Sequence, residues 1–221
     1  MSLRDRLRSL PAFPPGLPAL DPATTPPEPL ALFTTWFDEA VAAGASAPHA
    51  TTLSTADAAG RVHARTLLLK DVTADGFWFA SHARSPKGRD LVENPNASMT
   101  FFWPVLGRQV RVTGAARRGC AQDSAADFLA RPEASRASGL VGRQSEPLPH
   151  LDDHAAAFAG ALDRVRQDPG LVAPDWTAYV LAPRSVEFWQ AREAAGPVRL
   201  RYRAGRGGGG ATTWERGLLW P

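Results

Sequence analysis

Residues 85–114 read S-P-K-G-R-D-L-V-E-N-P-N-A-S-M-T-F-F-W-P-V-L-G-R-Q-V-R-V-T-G, which puts a helix start, two strands and a tight turn into one stretch. Ser85 is a good N-cap, Pro86 suits the first helical position, and Asn94-Pro95 stops the helix. The free N–H groups of such a helix start favour an anion, and the dipole alone disfavours Lys87 in the first turn. An anion beside Lys87 and a solvated surface lysine both fit this pattern. Residues 97–103 read as a buried strand, 104–107 as a turn, and 108–114 as an alternating strand. Val110 and Val112 point one way, Gln109, Arg111 and Thr113 the other. Periodicity does not say whether the polar face meets water or a ligand.

Upstream, residues 50–55 and 62–70 read as strands joined by a turn at 57–60, and Asp75-Gly76 turns the chain into F-W-F-A-S. The run 50–114 thus holds short antiparallel segments at close spacing, which predicts a small barrel or sandwich and not a parallel α/β sheet. Residues 1–29 are irregular and proline-rich, and are expected to lie along the surface of something else. Leu30, Phe33, Phe37, Ala40 and Val41 mark one face of a packing helix that ends before Gly44. Downstream come a short helix at 124–130, closed by Arg131-Pro132, and a flexible polar segment at 135–147. Gln144 and Ser145 stand on that segment as candidates for a loop-presented site element. A second amphipathic helix at 154–166 carries Phe158, Ala161, Leu162 and Val165 on one face. Four more strand segments follow, with a turn at Pro183-Arg184 and a glycine-rich hairpin loop at 205–210. No internal repeat or clear domain boundary is visible.

The 221 residues suffice for a substantial core. The formal net charge of +3 is too small and too dispersed to indicate nucleic acid. Cys120 is the single cysteine, so no internal disulfide can form, and a reducing, cytoplasmic setting is expected. No apolar run is long enough for a membrane span, and the N-terminus lacks a signal-peptide pattern. The sequence contains no phosphate-binding G-x-x-x-x-G-K-[ST] loop, G-x-S-x-G elbow or H-E-x-x-H motif. His150 and His154 share a helical spacing but have no third ligand nearby, so no metal is expected. Arg65 and Lys70 carry charge into apolar strands, on opposite faces unless Lys70 sits at a strand end. With Lys87, Gln109 and Arg111 they outline a shared basic, hydrogen-bonding site.

The segments R-T-L-L-L-K, F-W-F-A-S, S-P-K-G-R-D-L-V-E-N-P, F-F-W-P-V-L-G-R-Q-V-R-V-T-G, D-F-L-A-R-P, R-Q-S, V-E-F-W-Q and R-L-R-Y-R, ending in L-L-W-P, together resemble the pyridoxamine 5'-phosphate oxidases. The resemblance runs from about residue 29 to residue 221 and implies a mainly β, α+β fold. That fold is an antiparallel, Greek-key-like split β-barrel with flanking helices, spanning 29–221 behind a proline-rich arm at 1–28. It also implies a homodimer with FMN at the subunit interface. By position, Arg65 and Lys87 grip the FMN phosphate with Ser81 and Ser85 nearby, Lys70 stands at the junction of cofactor and substrate, and Gln109 bonds the flavin ring region. Gln144, Ser145, Trp189 and Arg199 match flavin contacts that the family's second subunit contributes. This agrees with the chemistry, since a phosphate needs cations and N–H donors and a flavin ring needs amide donors and an aromatic wall.

The family's substrate phosphate is held by a lysine, a tyrosine, an arginine and a serine. Lys70, Arg131 and Ser135 match, but Asp127 stands at the tyrosine position. Either Asp127 turns away or the substrate is less anionic. The family's Arg-x-His pair is replaced by Ala195 and Pro197, which donate no side-chain hydrogen bond. The resemblance therefore implies an FMN-dependent oxidase passing a hydride from a small substrate to flavin and then to oxygen, with a diverged substrate such as a reduced heterocycle of secondary metabolism. The alternatives are an authentic vitamin B6 phosphate oxidase and a flavin-binding protein without turnover.

Overall fold

The computed structural model describes residues 1–193, 195–206 and 212–221, without the side chain of Arg206. In chain order the elements are α1 (Leu3–Ser9), α2 (Pro29–Ala42), β1 (Ala50–Ala56), β2 (Val62–Leu68), β3 (Asp71–Thr73), β4 (Gly76–His82), α3 (Pro86–Glu93), β5 (Asn96–Trp103) and β6 (Arg108–Arg118). They continue with α4 (Ala121–Leu129), α5 (Glu133–Val141), α6 (Leu151–Gln167), β7 (Trp176–Gln190), β8 (Val198–Arg206) and β9 (Thr212–Leu218). Hydrogen-bonded neighbours run β2-β1-β5-β6-β7-β4-β3, and β8 pairs with both β7 and β9. The order is not sequential, as expected of a Greek-key-like connection. No helix among the described residues is long and apolar enough to cross a membrane.

The chain forms two compact units, and the first comprises Met1–Thr52, Ser98–Thr113 and Pro183–Pro221. Its core is aromatic, with Phe33 4.9 Å from Phe101 and Trp36 edge-on to Phe188 at 5.2 Å. The face that α2 buries is Pro29, Leu32, Phe33, Trp36 and Ala40, whereas Val41 is exposed, so the stripe is rotated from the one periodicity predicts. Trp36 explains the rotation: its ring packs on Phe188 and also lies under the Arg108 guanidinium, 4.3 Å from its centroid. The proline-rich start holds α1, capped by Ser2 and Asp5, where an irregular chain is expected. β5 is not buried throughout but alternates, with Phe102 exposed and in edge contact with Phe13. The glycine-rich hairpin reading begins inside β8 at Gly205, and residues 207–210 lie outside the described residues.

The second unit comprises Leu53–Ala97 and Gly114–Ala182. Phe77 and Phe79 of β4 are fully buried, and Phe79 stacks on Tyr179 of β7 at 5.2 Å. Two local readings are corrected here. Residues 133–141 form α5 and are not a flexible segment, because a small-residue face lets the helix pack closely: a Cβ on Gly139 would lie 2.8 Å from the Phe128 ring. Arg136 on the same face donates to the carbonyls of Pro169 and Leu171. Nor does the chain turn at Pro183-Arg184, since β7 runs unbroken from Trp176 to Gln190. β7 pairs with β4 through Leu181 and with β8 from Ser185, and Pro183 falls in the interval between those pairings, where a missing N–H costs no bond to either strand.

Candidate functional site

The start of α3 forms as its residue types dictate. The Ser85 side chain accepts the Gly88 N–H at 3.2 Å while its hydroxyl donates to the His82 carbonyl at 2.7 Å. Gly88 is required for this close approach, because a Cβ there would sit 2.3 Å from the Ala83 carbonyl oxygen. The geometry turns Lys87 inward. The residue is only 6% exposed, and its ammonium donates to Ser81 Oγ at 3.0 Å and Gln144 Oε1 at 2.8 Å, with Ser85 Oγ at 3.4 Å. Each of these acceptors is neutral, and among the described residues no carboxylate lies within ion-pair distance of Lys87. Burial, reinforced by the Arg65 charge and opposed by Asp90, lowers its pKa to about 8.

Lys87 opens onto a cavity of about 380 Å³ lined also by Arg65, Ser81, His82, Arg131, Gln144 and Trp176. The Arg131 guanidinium lies over the Trp176 ring at 4.0 Å, and its buried Nη1 has no hydrogen-bond partner among the described residues. Burial lowers the pKa of His82, opposed by Asp175 and reinforced by Lys87, Arg131 and Arg84, and its buried Nδ1 has no partner among the described residues. The cations Arg65 and Lys87 and the Ser81 hydroxyl, lining one cleft, suit a phosphate monoester, the group by which FMN would be gripped. The donor set thus fits the cofactor's phosphate. Ser145 borders the adjoining cleft with a φ of 68°, a left-handed conformation that costs a non-glycine residue about 1 kcal/mol or more.

Lys70 lies just past the end of β2, where its N–H donates to the Trp78 carbonyl, so strand alternation does not constrain its side chain. It lines a separate cleft with Asp127, 3.8 Å from its carboxylate, which also accepts the Trp176 indole N–H at 2.7 Å. Asp127 is therefore committed to two donors. Of the expected substrate set, the structure places Arg131 with Arg65 and Lys87, and Lys70 with Asp127. Ser135 is half-buried on α5, and Pro197 half-buried just before β8, with Ala195 exposed.

The first unit carries the other candidates. Glu187 of β7 is only 5% exposed and accepts Arg111 Nη2 at 2.7 Å together with Arg199 Nε at 3.1 Å and Nη2 at 2.7 Å. Arg199 Nη1 reaches the Trp220 carbonyl at 3.0 Å. Trp189, facing Arg199 in the β7–β8 register, has the Phe13 ring at 5.8 Å, and Gln109 is half-buried on β6. The structure thus brings Arg65, Ser81, Ser85, Lys87 and Gln144 together within one unit, and Arg199 and Arg111 onto one carboxylate in the other. Sequence reasoning missed Glu187, whose signal was an acid between the apolar Val186 and Phe188, and Asp90, one turn along α3 from Lys87.

A split barrel with a basic cleft is the arrangement of a class of FMN-binding protein. Residues 37–167 match the family model for pyridoxamine 5'-phosphate oxidase, and residues 176–221 match the pyridoxine 5'-phosphate oxidase C-terminal dimerisation region. The chain belongs to the pyridoxamine 5'-phosphate oxidase family, whose members are FMN-dependent oxidoreductases. A pyridoxine/pyridoxamine 5'-phosphate oxidase from Pseudomonas syringae pv. tomato is 40% identical over 186 residues, covering 83% of this chain and 86% of that protein. The crystal structure of PhzG from Burkholderia lata 383, in complex with tetrahydrophenazine-1-carboxylic acid, superposes with a TM-score of 0.83 at 28% identity, covering 93% of this chain and 99% of that one. A related FMN-binding protein from Nostoc punctiforme shares the fold, with a TM-score of 0.66 at 20% identity over 90% of this chain and 99% of that one.

Proposed function

We propose that this chain is a homodimeric FMN-dependent oxidase whose substrate is a small reduced heterocycle carrying a carboxylate in place of a phosphate, with oxygen as electron acceptor. The observation that carries the substrate reading is Asp127, whose carboxylate pairs with Lys70 and accepts the Trp176 indole N–H. A carboxylate in that position lowers the net positive charge available to a dianion while leaving Arg131 to meet a single negative charge. The PhzG ligand is a reduced heterocycle with one carboxyl group, which supports the same chemistry.

Bound FMN supplies two-electron oxidation of the substrate. Arg65 and Lys87, with Ser81 and Ser85, bind its phosphate. Gln109, Gln144, Ser145, Trp189 and Arg199 orient its ring system at the subunit interface, where the dimerisation region of residues 176–221 supports pairing of two chains. Arg131, with Ser135, meets the substrate's anionic group, while Asp127 offsets the charge of Lys70. Pro197 stands at the substrate ring without donating a proton. A second reading, an authentic pyridoxine/pyridoxamine 5'-phosphate oxidase, is favoured by the 40% identity to the Pseudomonas enzyme.

Peroxide release by the yellow holoprotein decides between them. Tetrahydrophenazine-1-carboxylic acid is expected to be turned over with a kcat/KM at least about tenfold above pyridoxine 5'-phosphate and pyridoxamine 5'-phosphate. Turnover of the vitamin B6 phosphates at about 1 s⁻¹ or faster, with none on the carboxylate, overturns the proposal.

A further inference from the structure

We propose that Asp90 is a positioning residue for the phosphate-binding cations, acting on Arg65 through the hydroxyl of Thr55. The inference rests on the reading of the Arg65–Lys87 cavity as the seat of the FMN phosphate.

Asp90 lies on α3 and is 5% exposed. Its Oδ2 accepts the Thr55 hydroxyl at 2.6 Å and stands 3.1 Å from His63 Nδ1 on β2. Thr55 Oγ1 in turn accepts Arg65 Nη1 at 2.8 Å, and the same nitrogen donates to the Leu53 carbonyl at 3.2 Å. Arg65 Nη2 is 4.0 Å from the Asp90 carboxylate. A threonine hydroxyl has one proton to give, and here it goes to Asp90, which leaves its lone pairs to face Arg65. The relay therefore has one direction, Arg65 to Thr55 to Asp90.

Arg65 lines the cavity and Asp90 does not, so the carboxylate grips the guanidinium from behind. One nitrogen is occupied and the rest of the planar fork stays available to an anion, already held in place before the ligand arrives. Asp90 also offsets a repulsion. Arg65 and Lys87 face one cavity with like charge, and Asp90 favours the Lys87 ammonium where Arg65 disfavours it. A neutral residue at position 90 would loosen Arg65 and weaken Lys87 together.

Dissociation constants of FMN and riboflavin, measured by flavin fluorescence quenching on the full-length chain stripped of cofactor, test this. Riboflavin has the same ring and no phosphate, so a merely structural defect weakens both flavins alike. Asp90→Asn keeps an acceptor for Thr55 and removes the charge. Its FMN dissociation constant is expected to rise about tenfold, with riboflavin unchanged. Thr55→Val, which breaks the relay with the carboxylate in place, is expected to do the same, and Thr55→Ser to restore wild-type affinity. The positioning role is overturned by equal losses for both flavins, or by unchanged FMN affinity in Asp90→Asn and Thr55→Val while Arg65→Ala loses it. Should Asp90→Asn not fold, the Thr55 pair decides. An Arg65→Ala variant that keeps full FMN affinity refutes the cavity reading itself.

Discussion

The two basic clusters of this protein differ in what meets their charge. Arg111 and Arg199 close on the buried Glu187, whose carboxylate accepts from both. Lys87 is as deeply buried, yet its partners are hydroxyls and an amide, and Arg131 beside the same cavity keeps a buried donor unused. Burying a charge without a counter-charge is costly, so a fold that does so is organised for an anion that arrives later. The first cluster finds its counter-charge within the chain, and the second is the one we propose an arriving phosphate to complete.

The largest expected effect comes from Lys87→Ala, which removes a charge-assisted phosphate contact. FMN dissociation, followed by fluorescence, should weaken about a hundredfold while riboflavin binding holds. Equal affinity would erase the distinction between the clusters. Glu187→Ala should instead act on stability, because Arg111 and Arg199 lose their common acceptor. Urea unfolding of the cofactor-free chain should show a loss of about 2 kcal/mol, less than for a fully buried pair since Arg111 is half-exposed. An unchanged midpoint would mean that the complete cluster is not structural. The smallest effect is on pH dependence. Lys87 titrates near 8 in the free cavity, and a neighbouring phosphate favours its ammonium, so the bound value lies higher and binding takes up a proton in between. FMN affinity is then full below that pH and falls up to about tenfold as pH rises from about 8 to about 9.5, and a flat profile would show Lys87 not to face the phosphate.

Much of the stretch from Ser85 to Thr113 was legible from local rules. Ser85, Pro86 and Asn94 mark the ends of α3, and the alternation from Val110 to Thr113 appears in β6 as read. The misreadings share a cause. α5 lacks an apolar stripe because its buried face is Arg136, Ala137 and Gly139, and helix periodicity looks for large apolar residues. Pro183 reads as a turn because proline lacks an N–H, but whether an N–H is needed depends on which strand lies opposite. In the site, Arg65, Lys87 and Gln144 were visible as residue types with the right chemistry. Asp90 and Thr55 were not, since an aspartate on a short helix and a threonine in a strand are common surface residues.

The sequence by itself determined the bounds of α3, the alternation of β6, the membership of the oxidase family and the residues that suit a flavin phosphate, because caps, alternation and motif spacing act over a few residues. The tertiary structure decided which charges are committed. It joined Asp127 to Lys70 and Trp176, closed Glu187 on two arginines and left Lys87 among neutral oxygens. Those pairings link residues far apart in the chain, and the cost or gain of each depends on burial, which only the folded chain creates.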